Sequence, residues 1–287
     1  MTYDLIGRQL GAYRVDALIG AGGMAEVYKA FQPSMDRHVA LKALPRRLTS
    51  TDDFLERFKR EARMIAQLQH THILPVFDFG EAEGQAYLVM PLMENGTIAT
   101  RVRGKRLPLD QVVRVGVQVG DALAYAHGKG MVHRDVKPGN ILLDTHGNCL
   151  LSDFGIARLT ADSATSDNVL AGTPAYMAPE QAEDQPVDGR ADLYALGVVL
   201  YELATGQRPF EAADPLGLVY KHIHDAPRPP RTIDPHIPEQ LEWIILRALA
   251  KKPADRFESA GDMVRALRAI VIRGKSPADV LQEQPQQ

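Results

Sequence analysis

Charged and polar side chains crowd one short stretch, Val132-His133-Arg134-Asp135-Val136-Lys137-Pro138-Gly139-Asn140, just ahead of the apolar run Ile141-Leu142-Leu143. Folding needs explain such crowding poorly. Moving a phosphoryl group onto a hydroxyl needs a carboxylate for the hydroxyl proton, a cation beside the group in transit and oxygen ligands for a divalent metal. Asp135, Lys137 and Asn140 would supply them. Asp153, in Asp153-Phe154-Gly155 after Leu150-Leu151, offers a second metal carboxylate, although read alone it would be an aspartate–glycine turn after a strand. Upstream, Gly20-Ala21-Gly22-Gly23-Met24-Ala25 lies between two predicted strands. Glycines there either turn a hairpin or point backbone N–H groups at phosphate oxygens. No helix follows, which disfavours the dinucleotide-binding version of such a loop.

Lys42 ends the apolar run Val39-Ala40-Leu41 and, alone, could simply reach solvent. The next predicted helix changes the weighting. Phe54, Phe58, Glu61, Ile65 and Leu68 recur at helical spacing, so Glu61 falls in the apolar stripe or at its rim. A carboxylate facing a core is costly unless paired, and Lys42 is the available cation one strand away.

The elements that must position these groups change character along the chain. Residues 13–19, 26–31, 38–43, 75–79 and 86–90 read as strands, interrupted by one helix over about 52–69 entered through Thr49-Ser50-Thr51. After Gly96 the pattern turns helical, over 109–129, 193–205, 216–224, 240–250 and 259–272, the last opened by a capping pair, Ser259 and Asp262. Residues 227–231, rich in proline and arginine, read as a loop. Trp243 and Tyr201 fit helical apolar patterns and are expected in the core, whereas His222 and His224 face opposite sides of one helix and make no metal pair. The expected architecture is α+β: a small β-rich lobe with one helix, a connector, and a larger helical lobe, with the cleft between lobes a natural ligand site.

Bulk properties narrow the classes. The 287 residues are 45% hydrophobic and 24% charged, the balance of a soluble chain with a real core. A formal net charge of -3 argues against a nucleic-acid partner held on a broad basic surface. The single cysteine, Cys149, fits a reducing compartment and reads as structural rather than reactive. No secretory signal and no apolar run long enough to span a bilayer is present.

Taken in order, these motifs resemble the protein-kinase signature set: glycine loop, Val-Ala-Leu-Lys, helix glutamate, His-Arg-Asp, Asp-Phe-Gly, then Ala178-Pro179-Glu180. The resemblance continues through Asp192-Leu193-Tyr194-Ala195-Leu196-Gly197, similar to the family's central helix start, to Arg256, similar to the arginine that pairs with the glutamate here numbered Glu180. It implies the bilobal protein-kinase fold over residues 1–275, with an N-lobe at about 12–90, a hinge at about 91–96 and a C-lobe at about 97–275, followed by a polar tail or juxtamembrane linker at 276–287.

The resemblance also implies roles. ATP would be the phosphate donor, with Mg²⁺ (or Mn²⁺) held by Asn140 and Asp153. Asp135 would accept the hydroxyl proton, Lys137 would neutralise the transferring phosphate, and Thr173 would bridge the two. Lys42, fixed by Glu61, would contact the α- and β-phosphates. The glycine loop from Ile19 through Gly20, Ala21, Gly22, Gly23, Met24 and Ala25 would cover the nucleotide, with Val27, Ala40 and Leu142 about the adenine. Met90 would be the gatekeeper, with Pro91 to Met93 the hinge strand. Pro91 departs from the commoner glutamate, and Ala25 replaces a third glycine; both changes are tolerable, because backbone groups make the contacts. His133 would pack beneath Phe154 rather than act as a base.

Lys137 and Thr173 resemble the serine/threonine class, and Gly22-Gly23-Met24, Ala178-Pro179-Glu180-Gln181 and Asp255-Arg256-Phe257 resemble the bacterial receptor-type kinases. That implies protein substrates, self-phosphorylation with Thr165 favoured through Arg134, and a possible homodimer. It also implies a cytoplasmic domain, tethered to the inner face of the plasma membrane if a longer protein extends past Gln287. The alternative is a nucleotide-binding pseudokinase scaffold, which predicts damage at Lys42, Asp135, Asn140 or Asp153 that the sequence does not show.

Overall fold

A computed structural model describes residues 5–22, 25–46, 52–102, 104–154 and 174–270. Within these the chain forms two compact units, one from residues 5–69 and 73–94, the other from residues 70–72, 95–154 and 174–270.

The smaller unit is a six-stranded antiparallel sheet, β1 (Gln9–Leu10), β2 (Tyr13–Gly22), β3 (Ala25–Gln32), β4 (Arg37–Ala43), β5 (Asp78–Ala82) and β6 (Gln85–Pro91), in the order β1-β2-β3-β4-β6-β5. Tyr13, Val15, Tyr28, Ala30, Val39, Leu41, Tyr87 and Val89 close into an apolar cluster with Leu5 and Leu10. With the sheet goes a helix, α1 (Asp52–Ala66), whose Phe54, Phe58 and Ile65 are buried. This helix stops three residues short of the expected end. Gln67 and Leu68 donate to carbonyls three residues back, Met64 and Ile65, tightening the last turn into 3₁₀ geometry. The expected strand at 75–79 is displaced to Asp78–Ala82. Phe77 accounts for the misreading: it is exposed and lies under the Arg37 guanidinium, 4.2 Å from its ring centre, instead of alternating into the core.

The larger unit is helical: α2 (Ile98–Val102), α3 (Leu109–Gly128), α4 (Pro179–Ala182), α5 (Gly189–Thr205), α6 (Pro215–His224), α7 (Glu239–Ala248) and α8 (Ala260–Arg268), with a short antiparallel pair, β7 (Ile141–Leu143) and β8 (Cys149–Leu151). Helix α5 is buried on nearly every side and carries no amphipathic stripe, as a central helix should. Glycines let α3 and α5 approach their neighbours. A Cβ at Gly116 would fall 2.9 Å from Leu267 of α8, and one at Gly197 2.8 Å from Ala248 of α7. Ser259 and Asp262 form the expected capping box on α8. Tyr201 is buried as expected. Trp243 is not: it is 52% exposed, because Leu241, Ile244, Ile245 and Ala248 already complete the apolar stripe of α7. The α+β expectation holds, with a β-rich smaller unit and a larger helical unit. No described helix is long and apolar enough to cross a membrane.

Candidate active site

In the smaller unit, pairing puts Val27 opposite Lys42, Lys42 opposite Leu88, and Ala40 opposite Met90. Side chains alternate along a strand, so these residues share the face opposite the Tyr28–Leu41–Val89 cluster. Lys42 is 8% exposed and Glu61, on α1, is 5% exposed. Gly20, Ala21 and Gly22, expected in a loop between strands, instead belong to β2, paired with Val27, Glu26 and Ala25. A shift of register between Leu18 and Gly20 places a bulge at Ile19, which is exposed. Gly23 and Met24 lie outside the described residues. Met90 and Pro91 end β6, and Met93 follows, half-buried.

The chemistry-bearing loop of the larger unit is built on a buried carboxylate. Asp192, fully buried in the first turn of α5, accepts the backbone N–H of His133 (2.8 Å) and of Arg134 (2.7 Å), and lies 2.8 Å from Nε2 of His127 on α3. The peptide N–H of Asp135 donates to Nδ1 of His133 at 3.1 Å. The ring proton therefore sits on Nε2, which lies 2.7 Å from the Ser152 carbonyl. With both nitrogens committed and its ring 4.5 Å from that of Phe154, His133 is a structural support and not a base.

Asp135 is the focus. Lys137 Nζ donates to its two carboxylate oxygens at 3.0 and 2.7 Å, and Asn140 Nδ2 donates to its carbonyl at 2.8 Å and to Oδ2 at 2.9 Å. The side chains of Asp135 and Lys137 both keep 34% exposure, so a carboxylate and an ammonium meet at the surface of the fold. Asn140 is buried, and its carbonyl is tied to Ser152 N (2.9 Å) and Oγ (3.1 Å), which joins the loop to the segment bearing Asp153. With Nδ2 spent on Asp135, the oxygen of the Asn140 amide is the atom suited to a hard cation. Arg134 and Asp153 both take left-handed backbone conformations, φ 68° each, a strain that concentrates at working sites. Leu142 is half-buried in β7. Thr173 and Thr165 fall outside the described residues.

Beyond the loop, Arg256 Nη1 and Nη2 meet Glu180 Oε1 and Oε2 at 2.6 and 2.7 Å, both side chains buried, as the resemblance implied. Arg256 also donates to the carbonyls of Ala250, Arg190 and Lys251 and lies over the Tyr194 ring. Lys251 donates to the Lys221 and His222 carbonyls at the end of α6; burial pulls its ammonium down to about 8. His222 is buried against Tyr194 and Phe210, and desolvation lowers it to about 4. Burial pushes the Cys149 thiol up to about 12, in keeping with a structural role.

Two residues of this region carry more than sequence reading assigned them. Asp192 was visible only as a helix start, although a carboxylate flanked by Ala191 and Leu193 in an apolar helix invites the same question as Glu61. Gln181 figures in the sequence only as the end of the Ala178-Pro179-Glu180-Gln181 stretch, with no role attached, although a glutamine three residues after a helix start can reach back to it.

Comparison with known proteins places this geometry. Residues 13–266 match the model of the protein kinase domain. The chain is 41% identical over 283 residues to the serine/threonine-protein kinase pkn3 of Myxococcus xanthus, covering 94% of this chain and 52% of that protein. It is 42% identical over 268 residues to the serine/threonine-protein kinase PknE of Mycobacterium bovis, covering 92% and 47%. The chain thus spans about half the length of these relatives. Among solved structures, the PknI kinase domain of Mycobacterium tuberculosis superposes with a TM-score of 0.74 at 32% identity, over 93% of this chain and 98% of that one. All three are named kinases, which leaves the scaffold alternative without support. The described units have the protein kinase fold, and the chain belongs to the protein kinase family.

Proposed function

We propose that this chain is an active serine/threonine protein kinase that moves the γ-phosphate of ATP, with Mg²⁺, onto serine and threonine hydroxyls of proteins. Members of the family use ATP and a divalent metal, act on proteins and phosphorylate themselves. The observation that supports the reading best is the Asp135–Lys137–Asn140 cluster: a carboxylate and an ammonium held 2.7 Å apart and left half-exposed.

In this reading Asp135 orients the acceptor hydroxyl and takes its proton. Lys137 shifts from the carboxylate toward the phosphoryl group as negative charge develops there. The Asn140 side-chain oxygen and the Asp153 carboxylate fit a hard cation, Mg²⁺ or Mn²⁺; when bound, it would neutralise phosphate charge. Lys42, paired with Glu61, contacts the inner phosphates, because two buried charges on neighbouring elements are tolerated only together. Residues 19–25 and 27 cover the nucleotide, and Ala40, Met90, Pro91, Met93 and Leu142 contact its base. Thr173 bridges Asp135 and Lys137, and Thr165 is the favoured self-phosphorylation site. The kinase domain spans 1–275 with 276–287 as tail or linker, and works in the cytoplasm or tethered to a membrane.

The test is transfer of radiolabelled γ-phosphate to dephosphorylated casein, wild type against Lys42→Met. Transfer is expected from the wild type alone, and equal transfer by both chains would contradict the role of Lys42.

A further inference from the structure

We propose that Gln181 is a positioning residue for phosphoryl transfer, its amide holding the peptide between Arg134 and Asp135 against the start of α4. The inference rests on Asp135 as the proton acceptor. The peptide unit that enters Asp135 is gripped at both ends. Its N–H donates to His133 Nδ1 at 3.1 Å, and its carbonyl, that of Arg134, accepts from Gln181 Nε2 at 3.1 Å. Rotating that plane would move the Asp135 Cα and swing the carboxylate away from Lys137. The plane also needs holding, since Arg134 sits at φ 68°, where a residue with a Cβ is strained.

The other end of the amide is equally committed. Gln181 Oε1 accepts the N–H of Ala178 at 3.1 Å, one half of a capping box at the first turn of α4. That turn is in turn fixed by the buried Glu180–Arg256 pair. Gln181 thus ties the proton-accepting loop to the segment that follows residues 174–176. A carboxamide is required: it offers a donor and an acceptor from one planar group, whereas glutamate can only accept when ionised.

This asymmetry separates positioning from capping. Gln181→Glu keeps the acceptor for Ala178 and the helix start, where negative charge is favourable, but loses the donor to Arg134. Gln181→Met loses both. With casein and Mg-ATP, both variants are expected to lose kcat by about tenfold to hundredfold, with the KM for ATP within about twofold of wild type. Only Gln181→Met should also lower the melting temperature. A Gln181→Glu chain as fast as wild type, or a loss of activity that appears only with Gln181→Met and follows its melting temperature, would reduce Gln181 to a cap and overturn the inference. Asp135→Asn sets the background: a wild type no faster than Asp135→Asn would overturn the underlying kinase reading instead.

Discussion

The loop around Asp135 and the Glu180–Arg256 pair are both dense polar clusters of the larger unit, finished in opposite ways. Arg256 is 0% exposed and its five donors end on two carboxylate oxygens and three carbonyls. Asp135 and Lys137 are also bonded to each other, yet both remain 34% exposed. One cluster is saturated and closed; the other is rigid in its backbone and open at its charges. The difference separates polar groups that hold a fold from those that can exchange partners during a reaction.

Breaking the open cluster should cost activity and almost no stability. Asp135→Asn is expected to lower phosphoryl transfer by about 10²–10⁴-fold while the melting temperature stays within about 2 °C, read by casein phosphorylation and by thermal unfolding. Breaking the closed cluster should do the reverse. Arg256→Met leaves Glu180 buried without its cation, a loss of about 3–5 kcal/mol and roughly 6–20 °C in melting temperature, measurable by calorimetry.

Acid should loosen the same closed region first. Desolvation holds His222 at about 4 in the folded chain, below its ordinary 6.5, so between those values the unfolded chain binds the extra proton. The stability His222 contributes is present above about 6.5 and lost as pH falls toward 4, up to about 3 kcal/mol. Denaturant unfolding against pH should show that slope, and His222→Leu should flatten it. The smallest effect concerns Cys149: with its thiol pushed up to about 12 and its side chain buried, it should resist iodoacetamide at pH 8 until the chain is denatured.

Much of this is legible in the amino-acid sequence. The spacing of Phe54, Phe58 and Glu61 marked a buried carboxylate on α1, and Ser259 with Asp262 marked the start of α8. The motif order carried the family and the Glu180–Arg256 pair. What escaped were features without a periodic signature. The two-residue β1 and the one-and-a-half-turn α2 are too short to show alternation or an apolar stripe. Phe77 and Trp243 are large and apolar but stand outward beside arginines, a placement that hydrophobicity alone does not reveal. The role of Asp192 is carried by backbone N–H groups 58 and 59 residues away, which no local pattern encodes.

The most direct test of the central claim is mass spectrometry of the purified chain, first dephosphorylated and then incubated with Mg-ATP, beside Asp135→Asn. The account predicts phosphate on serine or threonine residues of the wild type, Thr165 foremost, and at an equal early time at most about a hundredth as much on Asp135→Asn. Phosphate on neither chain, with casein also left unmodified, or equal phosphate on both, would contradict it.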